Sequence, residues 1–139
     1  KIPATLTRSD AVDKLAAALA KAQSTISFAS KDATNPHFKS KYADLAAVWE
    51  AVRVPLSSNG LAVVQFPSAD GLKVTLTTVL LHESGQWMSQ DLTMMASANT
   101  PQAVGSTITY ARRYALSSVA GVAQDDDDGN AGSGKGGKQ

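Results

Sequence analysis

Apolar residues recur at spacings of three and four over residues 9–29, where Val12, Leu15, Leu19, Ala22 and Ile26 share one side and alanine fills the gaps. That pattern predicts a helix, with Thr7 or Ser9 placed to cap its start. The periodicity stops at SKDATNPHFKSK, residues 30–41, whose turn formers and Asn35-Pro36 pair read as a loop. It resumes over residues 42–58, where Leu45, Val48, Trp49, Val52 and Leu56 make a single apolar stripe of a second helix. Pro55 lacks a backbone donor, so the helix is expected to bend there or end its regular part early, and Asn59-Gly60 stops it.

The period then shortens to two. Residues 61–66, LAVVQF, form a short apolar run between Gly60 and Pro67. Over residues 72–82, Leu72, Val74, Leu76, Thr78 and Leu80 alternate with Lys73, Thr75 and Thr77, which is the signature of a half-buried strand. Asp70-Gly71 marks a hairpin before it, and Glu83-Ser84-Gly85 turns the chain into a third strand at 86–95. A loop at 96–101 leads to a third helix at 102–120. The order predicts an α+β fold: a three-stranded antiparallel meander covered on one face, its β-β-β-α core preceded by two helices. Two free sheet edges make subunit association an expected way to cover them. Residues 1–128 read as one domain, and GNAGSGKGGKQ at 129–139 as a disordered tail or linker to a further segment.

Composition narrows the class. With 139 residues, 43% hydrophobic and 18% charged, the chain reads as one globular domain, and no apolar run reaches the length of a membrane span. Cysteine is absent, which excludes disulfides and thiolate chemistry and fits a reducing cytoplasm. Net charge is +1, and residues 1–124 carry 11 basic and 8 acidic side chains. A site for a polyanion must therefore arise from local clustering.

Two motif matches fail on physical grounds. GNAGSGK at 129–135 spells a phosphate loop, but such a loop needs a buried strand before it and a helix after it; Gly136 also stands where a magnesium-binding hydroxyl belongs. The four aspartates at 125–128 suggest calcium, yet the first and last ligand positions of an EF-hand fall on Gln124 and Lys135. A loose magnesium site and a solvated acidic cap remain as readings of that run. Carboxylates at a helix C-terminus oppose its dipole, which suggests a basic partner surface. His37 and His82 lack a nucleophile or ligand spacing. No catalytic residue, metal or cofactor is expected.

The chemistry that remains is cationic and aromatic. On the third helix, Val104, Ile108, Ala111, Ala115 and Val119 form a stripe expected to face the sheet. Ser106, Thr109, Tyr110, Arg113 and Ser117 fall on the other side, flanked by Arg112 and Tyr114. Arginine contacts phosphate in two places at once, tyrosine offers a stacking surface for any base, and small hydroxyls add phosphate hydrogen bonds. The loop repeats the theme, with Lys31, Lys39 and Lys41 around His37, Phe38 and Tyr42. A buried tyrosine with a wet hydroxyl, or an arginine paired to an aspartate, is the competing structural reading.

The blocks NPHFKSKYADLAAVWEAVRVPLSSNGLAVVQ, residues 35–65, and GSTITYARRYALSSVAGVAQDDDDGN, residues 105–130, resemble the Erf family of phage single-strand annealing proteins. The likeness extends over nearly all of residues 9–130. It implies binding of single-stranded DNA, annealing of complementary strands without ATP in recombination, and a β-β-β-α core of the ring-forming annealing type. It also implies a homo-oligomer in the cytoplasm of a phage's host, with a single-strand binding protein or nuclease as a further partner and no membrane. Carried onto this chain, it names Lys39, Lys41, Tyr42, Tyr110, Arg112, Arg113 and Tyr114 as DNA contacts, and the basic loop adds Lys31. Three alternatives stand beside it: a coating protein for single strands or RNA, a magnesium-dependent nuclease using the aspartates, and a structural oligomer in which the tyrosine-arginine face is an interface.

Overall fold

A computed structural model of the chain describes residues 6–27 and 44–123. Strand β1 (Leu6–Arg8) is followed by helices α1 (Asp13–Gln23) and α2 (Leu45–Ser58). Strands β2 (Leu61–Asp70), β3 (Lys73–His82) and β4 (Trp87–Met95) come next, and helix α3 (Pro101–Ala120) completes the order. The sheet is antiparallel in the order β1-β4-β3-β2, so it has four strands, where the alternation predicts three.

The extra strand escapes a pattern reading because it is three residues long and exposed throughout. Tertiary bonds hold it. Ser9 N donates to the Trp87 carbonyl at 2.9 Å, and Trp87 N donates to Ser9 Oγ at 3.0 Å. Ser9 therefore ties a strand to its neighbour and does not cap a helix. Thr7 lies in β1, and the residue before α1 is Val12, which makes no capping bond with its side chain. The cap comes from far along the chain: Gln86 Oε1 accepts from Lys14 N and Leu15 N, both at 2.9 Å, and Gln86 Nε2 donates to Asp13 Oδ1 at 3.0 Å. Bonding to Gln86 holds the Asp13 carboxyl below its ordinary pKa of 3.8.

Gln86→Ala is expected to cost about 1–2 kcal/mol in chemical denaturation, since two helix-start donors lose their acceptor. The Asp13 carboxyl should also return toward 3.8 in an NMR titration. Because folding favours the ionised form, this bond supports the fold at pH above the ordinary aspartate value. The support is lost as pH falls through the lowered one. An unchanged Asp13 titration would show that Gln86 is not its partner in solution.

Helix α2 begins at Asp44, whose Oδ1 accepts from Ala47 N at 2.8 Å. It runs through Pro55 to Ser58 and does not end early. Only the last turn follows the proline, and Asn59 Nδ2 donates to the Pro55 carbonyl at 2.8 Å. Strand β2 likewise runs through Pro67 to Asp70, beyond the expected stop at 66. It is an edge strand, where alternate N–H groups point away from the sheet and a missing one costs little. Gly71, with φ +62°, opens the two-residue loop between Asp70 and Lys73. His82 closes the next turn, its Nδ1 accepting from Ser84 N at 3.1 Å. Thr100 caps α3 by accepting from Ala103 N at 3.2 Å, with Pro101 in the first turn where its missing donor is harmless.

The helices cover one face of the sheet. Val74, Leu76, Thr78 and Leu80 of β3 are buried, as the alternation predicts, whereas Leu72 falls in the turn before the strand and is 40% exposed. The main core joins Leu15, Ala18 and Ala22 of α1 with Val48, Val52 and Leu56 of α2, Leu61 and Leu80 of the sheet, and Leu116 and Ala120 of α3. At the far end of α3, Gly121 adopts φ +78°, and a Cβ there would run into the amide of Gln23, which donates to the Ala120 carbonyl at 3.2 Å. The left-handed backbone of this helix end favours glycine, and a side chain there would also have to displace the Gln23 amide. No helix among the described residues is long and apolar enough to cross a membrane.

Candidate nucleic-acid interface

Helix α3 is buried on two sides. Ala111, Leu116 and Ala120 are all covered, and α3 packs against both the sheet and α2. A reading of the helix as one-sided places Arg113 and Ser117 on an open face. The structure buries both, with Arg113 only 7% exposed and its guanidinium set over the rings of Tyr110 and Tyr114. Two of the hydroxyls expected to meet phosphate bond back to their own helix: exposed Thr109 donates to the Gly105 carbonyl at 3.2 Å and buried Ser117 to the Arg113 carbonyl at 2.9 Å.

Three of the candidate residues form one unit. Tyr110 and Tyr114, one turn apart, stack with ring centroids 5.3 Å apart and planes 17° from parallel. The Arg113 guanidinium carbon lies 5.2 Å from the Tyr110 centroid and 4.8 Å from that of Tyr114. This is a shared cation–π arrangement that shields the cation while leaving the rings accessible, Tyr110 at 47% and Tyr114 at 40%. Tyr114 also lines an apolar groove between α3 and the β1–β4 side of the sheet, with Leu6, Leu19 and Met88.

Arg112 stands apart. Successive helical residues are rotated by about 100°, so residue 112 projects to a different flank from residue 114. It is exposed and lines a second groove, between α2, α3 and β2. Arg112 Nε donates to Gln65 Oε1 at 3.5 Å. Gln65 Nε2 in turn donates to Thr78 Oγ1 at 3.1 Å and to the Arg112 carbonyl at 3.2 Å. One glutamine thus links α3 to β2 and β3 and orients the arginine. Trp49, expected in the buried stripe of α2, is 39% exposed and lines the same groove.

A sequence model of the ERF superfamily matches residues 15–139. The chain belongs to the ERF superfamily. No curated protein and no solved structure showed significant similarity to it. In this ERF protein, Lys31, Lys39, Lys41 and Tyr42 lie outside the described residues, as do His37 and Phe38 and the aspartates at 125–128. The structure therefore brings Tyr110, Arg113 and Tyr114 together and places Arg112 on another flank. Sequence reasoning passed over Gln65 and the exposure of Trp49. The only signal for either was a polar residue inside an apolar strand and a large ring in an alanine-rich helix start. Among the described residues, no three carboxylates or imidazoles gather as a metal would require.

The two arginines should separate experimentally. Arg113→Ala is expected to cost about 2 kcal/mol of stability by freeing the tyrosine pair, with little change in the salt dependence of DNA binding. Arg112→Ala should leave stability within about 0.5 kcal/mol and lower the salt slope by about 0.7, the value for one phosphate contact on a single strand. Thermal melts and titrations at several salt concentrations measure both, and a reversed pattern would make Arg113 the contact.

Proposed function

We propose that this ERF protein binds single-stranded DNA and anneals complementary strands without ATP, working as a homo-oligomer. The observation that carries the reading is the family match over residues 15–139, which spans both segments rich in cations and rings. Family membership supports a role in single-strand annealing and favours a binding role over catalysis. Charge placement agrees. Seven basic and seven acidic side chains balance within residues 6–27 and 44–123, whereas residues 28–43 hold three lysines against one aspartate.

The mechanism is physical. Lysine and arginine neutralise phosphates and release condensed counterions, which lowers repulsion between two strands. Exposed rings hold bases by stacking without reading them. Subunits repeated along one strand keep it extended while a second strand samples register, and base pairing supplies the specificity. The test is a nucleotide-free mixture of complementary oligonucleotides carrying a fluorophore and a quencher. The protein should speed pairing above the protein-free rate, while a coating protein used as control should not. Tight binding that slows pairing would establish the coating alternative. Sedimentation of the protein with and without an oligonucleotide tests self-association.

A further inference from the structure

The groove between α2, α3 and β2 has a composition that the packing of the core does not require. Its lining is Leu45, Ala46 and Trp49 of α2, Val63 and Gln65 of β2, and Arg112 and Leu116 of α3. Its volume is about 450 Å³, within the roughly 300–1,000 Å³ typical of small-ligand sites. Helix α2 buries Val48, Val52 and Leu56 completely or nearly so, yet leaves the large indole of Trp49 at 39% exposure. A ring of that size held half-open at a groove wall is an unused stacking surface.

The polar groups match the ring. Among the described residues, Arg112 is the only charged one lining the groove, and it forms no ion pair with any of them. The carboxylates nearest in sequence to Trp49 are engaged elsewhere: Asp44 caps α2, and Glu50 pairs with Arg53 at 3.7 Å. The described lining therefore carries a net positive charge. The Gln65 amide is fixed by its bonds to Thr78 and to the Arg112 carbonyl, which holds its oxygen toward the guanidinium. Arg112 thus has its Nε beside the Gln65 oxygen, and among the described residues its terminal nitrogens have no carboxylate partner. A flat indole, an oriented guanidinium and an apolar floor of Val63 and Leu116 fit one nucleotide, with the base against the ring and the phosphate against the arginine.

We infer that the Trp49–Gln65–Arg112 groove holds one nucleotide of the single strand by stacking its base on Trp49 and binding its phosphate through Arg112. The inference rests on the proposed DNA binding and specifies where part of it occurs. Charge complementarity favours a polyanionic strand over an apolar segment of protein as the occupant, since Arg112 would otherwise be covered without a partner.

The sequence has two tryptophans, so Trp87→Phe leaves Trp49 as the sole indole emitter. Titration of that variant with oligo(dT) should quench its emission in step with the anisotropy of a labelled strand. In the otherwise unaltered protein, Trp49→Ala should weaken oligo(dT) binding by about tenfold with no change in salt slope, and Trp49→Phe by less, because a smaller ring still stacks. Circular dichroism confirms that each variant is folded, and acrylamide protection of the Trp87→Phe variant by oligo(dT) gives a readout that needs no change at Trp49. Binding by anisotropy with Trp49 emission and acrylamide access unmoved overturns the groove assignment and leaves the DNA-binding reading standing. Failure of the unaltered protein to bind oligo(dT) overturns both.

Discussion

Replacing Lys31, Lys39 and Lys41 together by alanine is expected to weaken single-strand binding by a few hundredfold at ~50 mM salt and to lower the salt slope by about 2. The size follows from charge placement. With cations and acids in balance over residues 6–27 and 44–123, that part of the protein has no excess with which to attract a polyanion from a distance. The three lysines of residues 28–43 carry the local surplus. Each phosphate they neutralise releases about 0.7 of a counterion, and three such contacts make the term steep in salt. Anisotropy titrations between ~50 and ~200 mM salt measure it. A triple variant with the parent's slope would move the electrostatic contact to Arg112 and its surroundings.

Leu56→Ala is expected to cost about 3 kcal/mol and lower the melting temperature by roughly 15 °C. Leu56 is among the largest fully buried side chains, and it lies in the core that joins all three helices to the sheet. Truncation leaves a cavity that rigid neighbours on several elements cannot close, so both the transfer term and the cavity term are lost. The loss should also disturb the proposed nucleotide groove, because α2 carries Trp49 on the same helix. Calorimetry measures the first effect. A loss below about 1 kcal/mol would mean that α2 repacks, and the groove it forms with α3 would then be adaptable.

The periodicities located α2, the three long strands and α3, the last expected at 102–120 and observed at Pro101–Ala120. These elements were legible because each buries one face, and burial leaves a period of 3.6 or 2 in the residues. Strand β1 was not legible, because it is exposed and owes its pairing to the backbone of β4 and to Ser9. The length of α1 was overestimated for a related reason: its alanines continue the pattern, but its start is set by Gln86, 73 residues from Asp13. The candidate site was legible in kind and less so in arrangement. Tyr110, Arg113 and Tyr114 share a face by spacing alone, yet nothing in that spacing reveals that Arg113 is buried there while both rings stay accessible.

The order of residues by itself determined the type and position of most elements, the family to which the chain belongs, and the concentration of cations beside aromatic rings in two segments. These are properties of local spacing and composition. Tertiary structure alone decided which of two adjacent arginines is sheltered by tyrosines and which is presented. It also decided that Trp49 leaves its apolar stripe for a groove wall, and that a distant glutamine starts the first helix. The physical reason is the same each time: exposure of a side chain depends on what packs over it from elsewhere in the chain, and a helix covered on two sides has no single outer face.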